Sequence, residues 1–164
     1  MVACNRQARS DLKTGLIRYM AGEIRTFAFD DQNWAAGKSA DRSVHQVSRF
    51  LWHIHDDCID HPISVSPQTW DRLRRIVGFL GTDLNIETTI THPSWPFRDE
   101  DEWHSNEQIV NGLGLPEYNP SKHCSDRSTR HWEVNPWCNR IPSSIGFAIF
   151  AGIVGAVVVM LFWI

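Results

Sequence analysis

Residues 145–164 read IGFAIFAGIVGAVVVMLFWI, twenty consecutive positions with no charged side chain, and this run constrains the chain more than any other feature. At 1.5 Å per residue, a helix of that length spans about 30 Å, the thickness of a bilayer's hydrocarbon core. Twelve of the twenty are Ile, Val, Leu or Phe, which favours insertion by about 4 to 7 kcal/mol. Three glycines, Gly146, Gly152 and Gly155, weaken a helix in water. In lipid the cost of unpaired backbone leaves helix as the workable state. The run therefore predicts one transmembrane helix over 145–164. A buried core helix is the competing reading, and such helices are usually shorter and carry polar interruptions.

The opening stretch MVACNRQARSDLKTGL holds no apolar core of signal-peptide length, so the sequence predicts a tail anchor rather than a cleaved leader. Arg127, Arg130 and Arg140 precede the run and no Lys or Arg follows it. The positive-inside rule then predicts a single-pass protein of the cell membrane with its N-terminal domain in the cytoplasm. Trp132, Trp137 and Trp163 stand where interfacial aromatic belts fall. Within the run, Ala148, Gly152 and Ala156 recur four apart, as do Ala151 and Gly155. Small residues at this spacing form a stripe on which a second membrane helix can pack; they are also simply common in membrane helices.

Ahead of the run the chain is polar, and it divides into an α-helical domain over 1–114 and a juxtamembrane linker over 115–144. The expected fold is thus mainly α, a small helical bundle followed by a linker and a C-terminal membrane helix. Ser10-Asp11 marks a first helix with Leu12, Leu16, Tyr19 and Met20 on one face and Gly22 as its stop. A second helix begins after Thr26 and carries Phe27, Phe29 and Trp34. The third is expected from Asp41 to about Asp60, because Val44, Val47, Leu51, Ile54 and Cys58 fall within about 80° of one another on a helical wheel. Ser66-Pro67 signals the start of a fourth helix, with Trp70, Leu73, Ile76, Val77 and Leu80 as its core face and Gly81 as its end. Residues 82–98, with Pro93, Pro96 and several β-branched residues, fit either a short strand or an extended arm. The acidic run Asp99 to Glu102 complements the dipole of a fifth helix that carries Trp103 and Val110.

The densest polar cluster lies late in the expected third helix. There His53, Asp56, Asp57 and Asp60 would occupy one face within about 100°, opposite the apolar stripe. Imidazole and carboxylate groups spaced four apart on a helix are able to share a divalent ion. The same arrangement describes the solvated side of an amphipathic helix. Phosphohydrolase chemistry would need further ligands from other helices, and His45, His92 and His104 supply no clear set. The four cysteines, Cys4, Cys58, Cys124 and Cys138, form no C-x-x-C pair. Cys58 falls on the apolar stripe, and His123, Cys124, His131 and Cys138 match no zinc-finger spacing. Phosphate-binding glycine loops, serine-hydrolase elbows, zincin and EF-hand motifs are missing from the sequence. A net charge of −3 argues against a nucleic-acid partner. No catalytic residue and no cofactor is expected.

Two stretches, Arg18-Tyr19-Met20-Ala21-Gly22-Glu23-Ile24 with Phe27-Ala28-Phe29-Asp30-Asp31, and Leu51-Trp52 with Asp56-Asp57-Cys58 and Asp60-His61, form a pattern. It resembles a group of small bacterial proteins of unassigned function, over roughly residues 10–80. The resemblance implies a bacterial origin and a helical domain, and it carries over no catalytic residue. The function expected from the sequence is a tail-anchored interaction protein whose helical domain binds another protein or a second copy of itself. The alternative is a membrane-tethered metal-dependent hydrolase built on His53 and Asp57, and a toxin–immunity or stress-response accessory shares the features of the first reading.

Overall fold

A computed structural model describes residues 4–54, 59–123 and 133–134. The fold is mainly α. Its elements run α1 (Arg6–Met20), α2 (Thr26–Gly37), α3 (Arg42–Trp52), β1 (Ile59–Asp60), α4 (Pro67–Leu80), α5 (Glu100–Gly112), α6 (Pro120–His123) and β2 (Glu133–Val134). The helices form a bundle in which α1 packs on α2 and α4, α2 on α3, and α4 on α5. The two short strands pair antiparallel, Ile59 opposite Val134 and Asp60 opposite Glu133. No helix among the described residues is long and apolar enough to cross a membrane. The expected membrane helix at 145–164, with its Ala148, Gly152 and Ala156 stripe, lies outside the described residues.

Helix α1 begins one turn earlier than its Ser10 signal suggests. Asn5 is the N-cap, and its side chain accepts a hydrogen bond from the Ala8 amide at 3.0 Å. Leu12, Leu16, Tyr19 and Met20 are buried as expected. The helix closes in a Schellman turn, with Glu23 N donating to Arg18 O at 2.9 Å and Gly22 N to Tyr19 O at 3.0 Å. Gly22 sits in the left-handed region at φ 74°, with open space where a Cβ would stand. Gly22→Ala is therefore expected to cost about 1–2 kcal/mol from backbone strain alone. A urea melt reads this loss directly, and an unchanged midpoint would contradict it.

Helices α4 and α5 follow their sequence signals closely. Ser66 caps α4, accepting from Thr69 N at 3.2 Å with Pro67 in the first turn, and Asp99 caps α5, accepting from Glu102 N at 2.8 Å. Gly78 lets the two helices approach: a Cβ there would stand 2.7 Å from Val110 and 3.3 Å from the Trp103 ring. Residues 82–98 form turns and irregular backbone rather than a strand, with a cis bond at Trp95-Pro96. Trp95 and Phe97 are nonetheless buried, seated against Phe50 and Phe79.

Two further features depart from the expected organisation. Residues 115–123, expected to be linker, pack on the bundle: His123 stacks on Trp70 with ring centroids 4.3 Å apart, and Val65 N donates to His123 O at 2.8 Å. A buried ion pair also lies at the junction of α1, α3 and the end of α4. Arg9 donates to both carboxylate oxygens of Asp41, at 2.8 and 3.3 Å, and to the carbonyls of Thr82 and Leu84 at 2.8 and 2.7 Å. Its guanidinium also lies over the Phe79 ring, 5.3 Å from the centroid. Asp41 caps α3 at the same time, accepting from Ser43 N and Val44 N.

Candidate functional site

Helix α3 has one buried and one outward face. Val44, Val47 and Leu51 are buried, while Arg42, His45, Arg49, Trp52 and the C-cap His53 are exposed. The helix contains no acidic residue, and its N-cap acid Asp41 is buried against Arg9. The outward face is therefore cationic and aromatic from end to end. Arg42 and Arg49 form no ion pair or side-chain hydrogen bond among the described residues.

Between this face and the segment 86–90 runs a groove of about 710 Å³. Arg42, Gln46, Arg49 and His53 form one wall, and the buried rings of Phe50 and Trp95 close its base. The second wall is held in place by Ile86 N donating to Ser43 Oγ at 3.1 Å and by Thr88 Oγ1 donating to Phe97 O at 3.2 Å. Backbone N–H groups of Glu87, Thr88, Thr89 and Ile90 have no partner among the described residues. Gln46 Oε1 is shut off from solvent and likewise accepts nothing among the described residues. Ile90 stands 42% exposed at the rim. The acid of this wall, Glu87, contributes to the field that raises the Arg98 guanidinium, whose largest cause is its hydrogen bond to Asp99.

Beside the groove, Trp52 meets Trp34 of α2 with ring centroids 6.2 Å apart. The two rings remain 38% and 59% exposed, and Lys38 Nζ lies over the Trp34 ring at 5.1 Å. Trp34 was expected among the apolar positions of α2, but Phe29 is the residue that reaches the core, stacked on Tyr19 at 4.6 Å. An exposed aromatic pair flanked by cations is the composition enriched at the anchoring centres of protein interfaces.

The expected metal cluster rests on a helix that continues to Asp60, and α3 ends at Trp52. His53 is the C-cap and opens onto the groove. Asp60 lies in β1, where its carboxylate accepts from Phe27 N at 3.2 Å and sits 3.8 Å from Arg25, at the N-terminus of α2. The shared helical face that would unite His53 with Asp60 is thus not formed. Asp56 and Asp57 lie outside the described residues, as do Cys58, Cys124 and Cys138. Among the described residues, no group of three or more His, Cys, Asp or Glu side chains is placed to hold a metal ion.

Compared with protein-family models, with curated proteins and with solved structures, the chain matches none of them.

Proposed function

We propose that the chain is a protein-binding module, tethered to a bilayer through residues 145–164, which presents the outward face of α3 to a protein partner at the inner membrane surface. One observation carries the binding part of this reading. The α3 face joins arginines that form no ion pair among the described residues to an exposed tryptophan pair and a groove rimmed by Ile86 and Ile90, with no acid on the helix to neutralise it. Tryptophan and arginine in a patch of this kind account for most interface hot spots. Support for the tether is the twenty-residue apolar run and the arginines ahead of it.

Site-specific photocross-linking tests both parts in cells that express the full chain. A photoreactive residue at His45, on the α3 face, is expected to give a protein adduct, while one at Gln108, exposed on α5, gives none. Trp34→Ala together with Trp52→Ala should cut the His45 adduct by about tenfold or more, as loss of hot-spot aromatics does. Equal adducts at the two positions, or none at His45, overturn the binding reading. The full chain should sediment with membranes and a chain ending at Arg140 should not. Recovery of the full chain in the detergent-free supernatant overturns the tether.

A further inference from the structure

We infer that the groove beside α3 receives an acidic peptide segment of the partner, with an apolar side chain seated against Ile86 and Ile90. This rests on the protein-binding reading above and adds the partner's chemistry. Three features of the groove converge on it. The first is charge: Arg42 and Arg49 outnumber the one acid of the groove, Glu87 on the opposite wall, and neither arginine forms an ion pair among the described residues. A guanidinium presents a planar fork that matches a carboxylate with two parallel hydrogen bonds. The two arginines stand seven residues apart on α3, roughly 10 Å along the axis. That is too far for one carboxylate and suits a segment that carries two.

The second feature is the apolar lining, which rewards a side chain and not only a charge. The third is a set of polar atoms without partners among the described residues. Gln46 Oε1 is buried and accepts from nothing, and the N–H groups of Glu87 to Ile90 donate to no protein acceptor among the described residues. A polypeptide main chain offers both in one strand of atoms, its amide N–H and its carbonyl. A phosphoglycerol headgroup also accepts through its phosphate and donates through its hydroxyls, but a flat bilayer surface does not enter a concave groove. Charge complementarity, apolar contact and main-chain pairing together favour a peptide over a lipid surface.

Panning a random peptide library against the immobilised full chain in detergent micelles tests the inference. The expected result is enrichment of peptides with net negative charge and at least one large apolar residue. Their affinity should fall by about tenfold or more in R42E/R49E, by less in R42Q/R49Q, and progressively as salt is raised through the range where the screening length becomes short. Both arginines are exposed, so the variants should melt with the parent chain, and circular dichroism checks this. Enrichment of neutral or basic peptides, or affinity that is indifferent to R42E/R49E, overturns the inference. So does binding to phosphatidylglycerol vesicles that is lost in R42E/R49E when no peptide is enriched. The two proposals fail separately: a His45 protein adduct that survives R42E/R49E keeps protein binding and removes the acidic segment, whereas loss of every adduct in the parent chain removes both.

Discussion

Arg9→Met is expected to destabilise the fold by about 3–5 kcal/mol, because it leaves the Asp41 carboxylate buried without its counter-charge. That is a large fraction of the roughly 5–15 kcal/mol that holds a typical domain together. Both side chains of the pair are almost fully shut off from solvent. The loss also frees the carbonyls of Thr82 and Leu84, which accept from the guanidinium and tie the end of α4 to α1. Urea denaturation of the parent and the variant at neutral pH measures the difference. A shift below about 1 kcal/mol, the range of exposed pairs, would show that water reaches Asp41.

The pair also sets the acid limb of the stability curve. Burial alone would raise the Asp41 carboxyl, but hydrogen bonds from Arg9, Asn5 N and Val44 N outweigh it and hold the group below its ordinary value. A carboxyl depressed in the folded state adds stability that is fully present above its unfolded value near pH 4 and is lost as pH falls through the folded value. The parent chain should therefore weaken below about pH 4 more steeply than Arg9→Met, in which the stabilising partner is gone. Combining Arg9→Met with Asp41→Asn should recover part of the loss at neutral pH. The amide retains the capping oxygen for Ser43 and Val44 and removes the unpaired charge.

Trp70→Ala should cost a similar amount, about 3–5 kcal/mol, for a different reason. Trp70 is buried on α4, and the rings of Tyr118 and His123 close over it with centroids 5.9 and 4.3 Å away. Truncation opens a cavity and removes the surface on which residues 115–123 pack. Two readouts should move together: the denaturation midpoint, and protease cleavage within 115–123, which should become faster. Trp70→Phe should lose less, since the indole N–H has no acceptor among the described residues and its removal strands no partner. A loss of stability without faster cleavage would mean that Tyr118 holds the segment by itself, through its hydroxyl donating to Val65 O at 3.3 Å.

The start of α4 at Ser66-Pro67, that of α5 at Asp99 and the Gly22 stop were readable because each depends on a local rule: a side chain that satisfies an orphan amide, or a residue that tolerates a positive φ. Arg9 was harder, because a charged residue does not announce burial. Its place was nonetheless encoded, since Arg9 precedes Leu12 by three and falls on the same stripe once α1 starts after Asn5. Trp95 and Phe97 escaped periodicity because their segment is neither helix nor strand, so no repeating pattern marks its inward positions.

The end of α3 shows a signal that apolar spacing concealed. Continuing the helix would have placed Asp56, Asp57 and Asp60 in its last turns, where the dipole disfavours negative charge. The helix stops at Trp52, and Asp60 is found instead at the N-terminus of α2, the end that a carboxylate stabilises. The groove was not legible at all, because it joins an α3 face to a segment some forty residues later, Ser43 to Ile86. Only the lack of acids on α3 could have pointed to it.

The pairing of Ile59 with Val134 brings the chain back to the bundle after α6. Counting from Val134, residues 135–144 provide a leash of ten residues before the apolar run. Fully drawn out, ten residues reach about 35 Å. For a chain held in a bilayer at 145, β2 would thus stay within about 35 Å of the lipid, and partners of the groove would be met close to the membrane surface. Shortening the leash would narrow that distance without touching the groove.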